Sequence, residues 1–280
     1  MQEVALRWMF DGIWDKSEHY AKKPKRSEKP ILRAENITVK FGEIVAVDNV
    51  TVEVKQGELL AIIGPNGAGK TSLLNVISGF YKPVTGRVLF KGRDISKLPS
   101  HKRVELGLSR TFQHSQLFLG MTVLDNIIVG LFPWRKTSTL KAALWLGAAK
   151  KWEEWARESV EYVIDLLELH EYRYRIVGSL SPGLQKRVDL ARALVQNPEV
   201  VLMDEPMAGL TREEKEDLAR AIIEVHETQG TTFVMVEHDL EVVTDIADRI
   251  IVMDSGRVIA EGVPEEVVHN PRVIHAYVGG

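Results

Sequence analysis

One short stretch, Gly64-Pro65-Asn66-Gly67-Ala68-Gly69-Lys70-Thr71 followed by Ser72, has residue types and spacing suited to phosphate chemistry. Glycines let successive backbone N–H groups turn toward an anion without Cβ clashes. A helix opening here adds the positive end of its dipole; Lys70 would reach the β- and γ-phosphates of a nucleotide, and the Thr71 hydroxyl would ligate Mg2+. Further on, Asp204 and Glu205 end the apolar run Val200-Val201-Leu202-Met203. Beside a bound Mg-nucleotide these carboxylates would divide the work. Asp204 would hold Mg2+, directly or through water, and Glu205 would polarise an attacking water. A second apolar run, Thr232 to Val236, delivers Glu237-His238-Asp239. A lone histidine is more often structural, but one at a strand's C-terminal edge, where ligands gather in parallel α/β sheets, reads as a γ-phosphate contact.

These groups need rigid elements to hold them. Leu59 to Ile63 is too short for a helix and suits a buried strand, while Leu73, Leu74, Val76 and Ile77 recur at helical spacing. Strand, glycine turn and helix therefore follow one another. Upstream, Ile31–Lys40 and Ile44–Val54 read as strands around a turn at Phe41-Gly42-Glu43, and Gly86–Gly92 reads as a hairpin-like run. An antiparallel β subdomain is expected to flank the phosphate loop. Residues 93–179 are the least strand-like, with short helices expected over Leu98–Leu106 and Val123–Leu131 and a longer one over Lys151–Leu169. Tryptophans 152 and 155 in that helix read as core. A helix over Thr211–Thr228, the strand Thr232–Val236, then helix, strand, turn, strand and a terminal helix from near Pro264 complete the chain.

Two positions admit two readings each. Phe41, an aromatic in a turn upstream of the phosphate loop, suits either stacking on an adenine face or capping the β subdomain. Ser181, followed by Pro182, suits a helix N-cap with proline at the first helical position. The same helix N-terminus, with its free N–H groups, also suits a second anion site.

Composition narrows the class. The chain has 280 residues, a net charge of −3 and no cysteine, which excludes disulfides and thiolate metal sites and fits a reducing cytosol. No basic excess calls for nucleic acid, and no apolar run approaches the ~18 residues that cross a bilayer. Residues 1–30 differ from the rest. Leu6, Met9, Phe10, Ile13 and Trp14 fall on one helical face, and a basic segment from Lys22 to Pro30 follows. This predicts an amphipathic helix on a basic linker, either folded back on its own domain or suited to a membrane surface or partner.

With GPNGAGKT at 64–71, TFQH at 111–114, LSPGLQKR at 180–187, VVLMDEP at 200–206, MAGLT at 207–211 and VEHDL at 236–240, the chain resembles the nucleotide-binding subunit of ABC transporters over about residues 31–280. Its ending NPRVIHAYVGG, with LSPGLQKRVDLARAL and DEPMAGL, is most similar to the larger of the paired ATPases of branched-chain amino-acid importers. The resemblance implies an α/β fold of the ABC-type P-loop ATPase class. Its parts would be a RecA-like core, an antiparallel β subdomain and a helical subdomain over about 93–195. It implies ATP and Mg2+ as ligands, Phe41 as the adenine-stacking aromatic, and Gly64 to Ser72 as the phosphate site. Gln113 would sense Mg2+ and the membrane partner, Glu205 would act as general base and His238 as γ-phosphate switch. Ser181 and Gly183 would act in trans on ATP bound to a second ATPase subunit.

The implied setting is the cytoplasmic face of a membrane, with permease chains and, indirectly, an extracytoplasmic solute-binding protein as partners and no nucleic acid. Related ATPases also drive lipopolysaccharide export. Three positions depart from the family pattern: Pro182 and Leu184 replace the commoner glycine and glutamine, and Thr211 replaces an aspartate.

Overall fold

The computed structural model describes residues 26–113, 116–132 and 148–278, with side chains left aside at 148–151 and 278. The amphipathic helix expected near the N-terminus lies outside the described residues. The first strand, β1 (Ser27–Phe41), starts four residues before the Ile31 that the pattern predicts, because Ser27 pairs with Gln56 and Pro30 with Lys55 of β2 (Ile44–Gln56). Just ahead of it, Arg26 forms an ion pair with Asp248 at 3.1 Å and a hydrogen bond with His226 at 3.0 Å. β4 (Thr85–Phe90) and β5 (Arg93–Asp94) extend β1 and β2 into a four-stranded antiparallel sheet, ordered β2-β1-β4-β5.

The second sheet has six strands in the order β10-β9-β3-β8-β7-β6. β3 (Leu59–Ile63), β7 (Val200–Asp204) and β8 (Thr232–Val236) occupy its middle and are buried along their whole length. Their continuous apolar runs are what parallel strands covered on both faces require. β9 (Arg249–Asp254) pairs parallel to β3, and β10 (Arg257–Gly262) returns antiparallel beside β9. The sequence does not announce β6 (Leu108–Arg110), a three-residue parallel edge strand within a region that otherwise reads as helical. Three residues are too few to display a period.

Helix α1 (Lys70–Ser78) follows β3 through the phosphate loop and lies between the two sheets. Leu73, Leu74, Val76 and Ile77 are fully buried there, packed in one core with Ile37, Val50 and Leu202. Burial of each side chain contributes roughly 1.5–3 kcal/mol before entropy is counted. The other face of the sheet packs on α3 (Val123–Val129), α4 (Ala148–Leu166), α5 (Pro182–Leu194) and α6 (Arg212–Gln229). Trp152 and Trp155 lie half-buried against this core, as their spacing predicts. Leu184, at the departure from the family pattern, packs against it too. α7 (Leu240–Ile246), α8 (Pro264–Val268) and α9 (Pro271–Val278) finish the chain, so the single terminal helix expected from Pro264 is two short ones.

The end of α1 is closed from a distance. Arg103, on the short α2 (Ser100–Val104), is 1% exposed. It donates to the carbonyls of Val76 (2.8 Å), Ile77 (2.7 Å), Leu98 (3.0 Å) and Ser96 (3.2 Å). A cation at the negative end of a helix that also satisfies its last carbonyls is favourable on both counts. Burial still draws its pKa down to about 10, well clear of neutrality. Arg103→Ala should lower unfolding free energy by about 3 kcal/mol, read from urea titration, because the stranded carbonyls stay buried. Unchanged stability would mean that water replaces the guanidinium without cost.

Candidate active site

Two strand ends and one loop converge. The phosphate loop leaves β3 at Gly64 and re-enters regular structure at Lys70, the first residue of α1. Gly64 and Gly69 both have positive φ (147° and 96°). A Cβ on Gly64 would sit 2.0 Å from the Met253 carbonyl oxygen, and one on Gly69 would sit 2.2 Å from that of Ala46. No side chain fits at either place, which explains both glycines without reference to a ligand. The loop is braced from behind, since Ala68 N–H donates to Pro65 and the Ala68 carbonyl accepts from Gly256 N–H at 3.0 Å. Asn66 and Gly67 form its exposed crest.

Lys70 is 5% exposed, and its ammonium donates to the carbonyls of Gly64 (2.6 Å) and Pro65 (3.1 Å). An ammonium has three donors, so one remains for an anion at the loop. Burial lowers its pKa, opposed by the nearby Glu205, Asp204 and Glu237 carboxylates. The Thr71 hydroxyl donates to Asp204 Oδ1 at 3.1 Å. A hydroxyl and a carboxylate side by side are hard oxygen donors, and two protein oxygens beside a phosphate site fit Mg2+, which keeps the remainder for phosphate and water.

Asp204 ends β7, and the next residue, Glu205, turns the chain with φ +45°, a left-handed conformation uncommon for a residue with a side chain. The strand ladder holds it there, its N–H donating to Val236 of β8 at 2.9 Å. Glu205 Oε2 accepts from Gln113 Nε2 at 2.6 Å. The imidazole of His238, half-exposed, places Nδ1 4.0 Å from Glu205 Oε2 and 3.9 Å from Glu237 Oε2, beyond hydrogen-bond distance of both. Lys70, Thr71, Asp204, Glu205, Gln113 and His238 are thus one constellation, assembled from four segments spread between residues 70 and 238.

Phe41 is the last residue of β1, paired with Ile44, so the turn expected from Phe41 is only Gly42-Glu43; its ring is 47% exposed and edge-on to Tyr81, with ring centroids 5.4 Å apart. Ser181 and Gly183 stand apart from the constellation, lining a different cleft with Tyr172, Glu214 and Asp217. Ser181 caps α5, accepting from Leu184 N–H at 3.4 Å, and Pro182 takes the first helical position as expected. Gly183 N–H donates to Glu214 Oε1 at 3.0 Å, so an intrachain carboxylate already uses this helix N-terminus. Backbone N–H groups of Gly183 and Thr211 lower the Glu214 pKa. Thr211, at the third departure, forms a reciprocal capping box with Glu214 at the start of α6.

Sequence reasoning passed over three contributors. Arg110, at the end of β6, donates to Asp204 Oδ2 at 2.8 Å. Lys186 of α5 donates to the Gln113 carbonyl, linking that helix to the loop. Glu237 was visible only as the neighbour of His238. It is 1% exposed and accepts from Met207 N–H (2.9 Å) and His238 N–H (3.3 Å).

Burial raises the pKa of Glu237 above its ordinary 4.5, an effect the two N–H donors reduce without cancelling. Between 4.5 and that raised value the folded protein binds more protons than the unfolded chain, so stability from Glu237 falls as pH rises through the window. Glu237→Gln keeps an acceptor for Met207 N–H and removes the charge. Relative to the parent it should gain unfolding free energy between pH 4 and pH 8, because it lacks the carboxyl whose raised pKa erodes the parent's stability over that range. Parallel pH profiles from urea titrations of the two proteins would place the proton elsewhere.

Known proteins resemble this chain over most of its length. The ABC transporter family model matches residues 47–208, and a model described as branched-chain amino acid ATP-binding cassette transporter matches residues 257–280. The probable branched-chain amino acid transport ATP-binding protein LivG of Methanocaldococcus jannaschii is 38% identical over 262 residues, 91% of this chain and 99% of that protein. The high-affinity branched-chain amino acid transport ATP-binding protein BraF of Pseudomonas aeruginosa is 36% identical over 251 residues, 90% of this chain and 98% of that one. Among solved structures, a nucleotide-free ATP-binding cassette from an ABC transporter superposes with a TM-score of 0.79 at 37% identity, covering 90% of this chain and 100% of that one. An ABC transporter cassette in its ADP conformation matches to the same degree, TM-score 0.79 at 37% identity over 90% of this chain and 100% of that one. A dimeric bacterial ABC transporter cassette reaches 0.69 at 28% identity, covering 83% of this chain and 98% of that one. A phosphate loop, a carboxylate pair and a family match over more than half of the chain lead to one conclusion: this chain belongs to the ABC transporter family, as an ATP-hydrolysing nucleotide-binding cassette.

Proposed function

We propose that this chain energises a membrane importer for branched-chain amino acids or related small polar solutes, working as a peripheral subunit on the cytoplasmic face. The observation that carries the reading is the match of residues 257–280 to the branched-chain amino acid cassette model, beside relatives named for that transport. Among the described residues no helix is long and apolar enough to cross a membrane, so the pathway is assigned to separate permease chains, with an extracytoplasmic solute-binding protein further upstream.

In the mechanism that follows, residues 64–72 wrap the nucleotide phosphates, Lys70 places its remaining N–H on them, and Phe41 offers an exposed ring to the adenine. Thr71 and Asp204 would hold Mg2+, with Gln113 at hand, and an ion bound there would supply Lewis-acid polarisation of a phosphoryl oxygen. Glu205, held by Gln113, orients and deprotonates the attacking water. His238, standing 4.0 Å off, has room to contact the γ-phosphate. Ser181 and Gly183 serve a nucleotide bound to a second ATPase subunit, identical or paralogous, which fits their distance from this chain's own constellation. There the partner's phosphate would replace Glu214 as acceptor of the Gly183 N–H.

Glu205→Gln should lower turnover by about a hundredfold or more while ATP binding persists. Near-normal hydrolysis by that variant removes Glu205 as the base. Lys70→Ala should weaken ATP binding by about tenfold or more in calorimetry, the value of a charge-assisted hydrogen bond. An affinity equal to the parent's would take Lys70 off the phosphates. For the transport assignment, tagged Glu205→Gln protein trapped with ATP in detergent-solubilised native membranes should recover two permease chains and an ATPase partner. The accompanying binding protein should then bind branched-chain amino acids. Recovery of export components, or of ribosomal or chromosomal proteins alone, would overturn the importer.

A further inference from the structure

Arg110 has no part in the steps above, yet it is the most heavily engaged cation near the site. Its side chain is 7% exposed. Nη2 donates to Asp204 Oδ2 at 2.8 Å, while Nη1 donates to Asn75 Oδ1 and Ser78 Oγ, both at 2.6 Å and both on α1. The guanidinium also lies near two ring faces, 5.4 Å from the centroid of Phe80 and 5.0 Å from that of Phe112. Asp204 therefore has its two oxygens divided: Oδ2 is committed to Arg110, and Oδ1 faces Thr71.

We propose that Arg110 is a positioning residue for the nucleotide-bound cation, taking one oxygen of Asp204 so that the carboxylate offers the cation only the other. The inference rests on the reading of Asp204 as a cation ligand. A free carboxylate can rotate and bind a cation through both oxygens, displacing water or phosphate from the coordination shell. A guanidinium fixed at its far edge by α1 prevents that rotation. Because α1 also carries Lys70 and Thr71, the carboxylate is held in register with the phosphate loop itself. The positive charge has a second effect. It offsets the aspartate's charge, so the cation is held less tightly than a lone buried carboxylate would hold it and can leave with the product. Lysine supplies the charge but not the planar fork.

The test separates these contributions. Mn2+ binding in the presence of ADP, followed by electron paramagnetic resonance, reports on the cation without turnover, and kcat is measured alongside. Arg110→Gln should bind Mn2+ on the order of tenfold more tightly, through loss of the opposing charge. Its kcat should fall by about tenfold or more, through loss of alignment. Arg110→Lys should bring Mn2+ affinity back to within about twofold of the parent and leave kcat low. Asn75→Ala, which loosens the far edge without touching Asp204, should lower kcat by about twofold or more at an unchanged melting temperature. The proposal is overturned if Arg110→Gln matches the parent in both readouts. It is equally overturned if affinity, kcat and melting temperature fall together, as a purely structural role requires. Asp204→Asn is the control. If it leaves Mn2+ binding intact, the ligand reading of Asp204 fails and the proposal with it. If it abolishes binding while Arg110→Gln shifts nothing, the proposal alone fails.

Discussion

Three carboxylates, Asp204, Glu205 and Glu237, crowd the carboxyl ends of β7 and β8, and the site depends on keeping them apart in role. Like charges in a partly desolvated space repel, and each must be held by a donor of its own. Thr71 and Arg110 hold Asp204, Gln113 holds Glu205, and the N–H groups of Met207 and His238 hold Glu237. No donor is shared. The sheet makes this possible, because parallel neighbours β7 and β8 end together and deliver successive residues to one place.

The two sheets divide the labour. The six-stranded sheet fixes where the carboxylates stand, and the antiparallel sheet closes over α1 so that the phosphate loop cannot drift from them. Glu205 shows how far the scaffold governs the placement of one side chain. Its left-handed φ is a local cost, sustained by the bond from its N–H to Val236 and by the buried strands on either side.

Much of this was legible in the residue order, for identifiable physical reasons. The phosphate loop is short-range: glycine spacing, a buried strand before it and a helix after it are all local, so GPNGAGKT could be read directly. The strands β3, β7 and β8 are covered on both faces and therefore appear as unbroken apolar runs. What escaped reading acts over long sequence separations through single side chains. Arg103 reaches carbonyls 26 and 27 residues back, Arg110 reaches an aspartate 94 residues ahead, and Glu214 reaches a helix N-terminus 31 residues back. No periodicity marks such residues. Phe41 lay between these extremes: the structure makes it both exposed and packed on Tyr81, so stacking and capping are not exclusive at that position.

The clasp that Arg103 places on the end of α1 has a mechanical consequence. Together with the pairing of β6 to β7, it welds residues 100–110 to the nucleotide-binding core, although they lie within a stretch that reads as helical insertion. Any swivel of the bundle formed by α3, α4 and α5 must then take its pivot downstream of Arg110. The segment that has to bend is the one that presents Gln113 to Glu205, so an angular movement of the bundle would be felt first as a change in the leverage on that hydrogen bond.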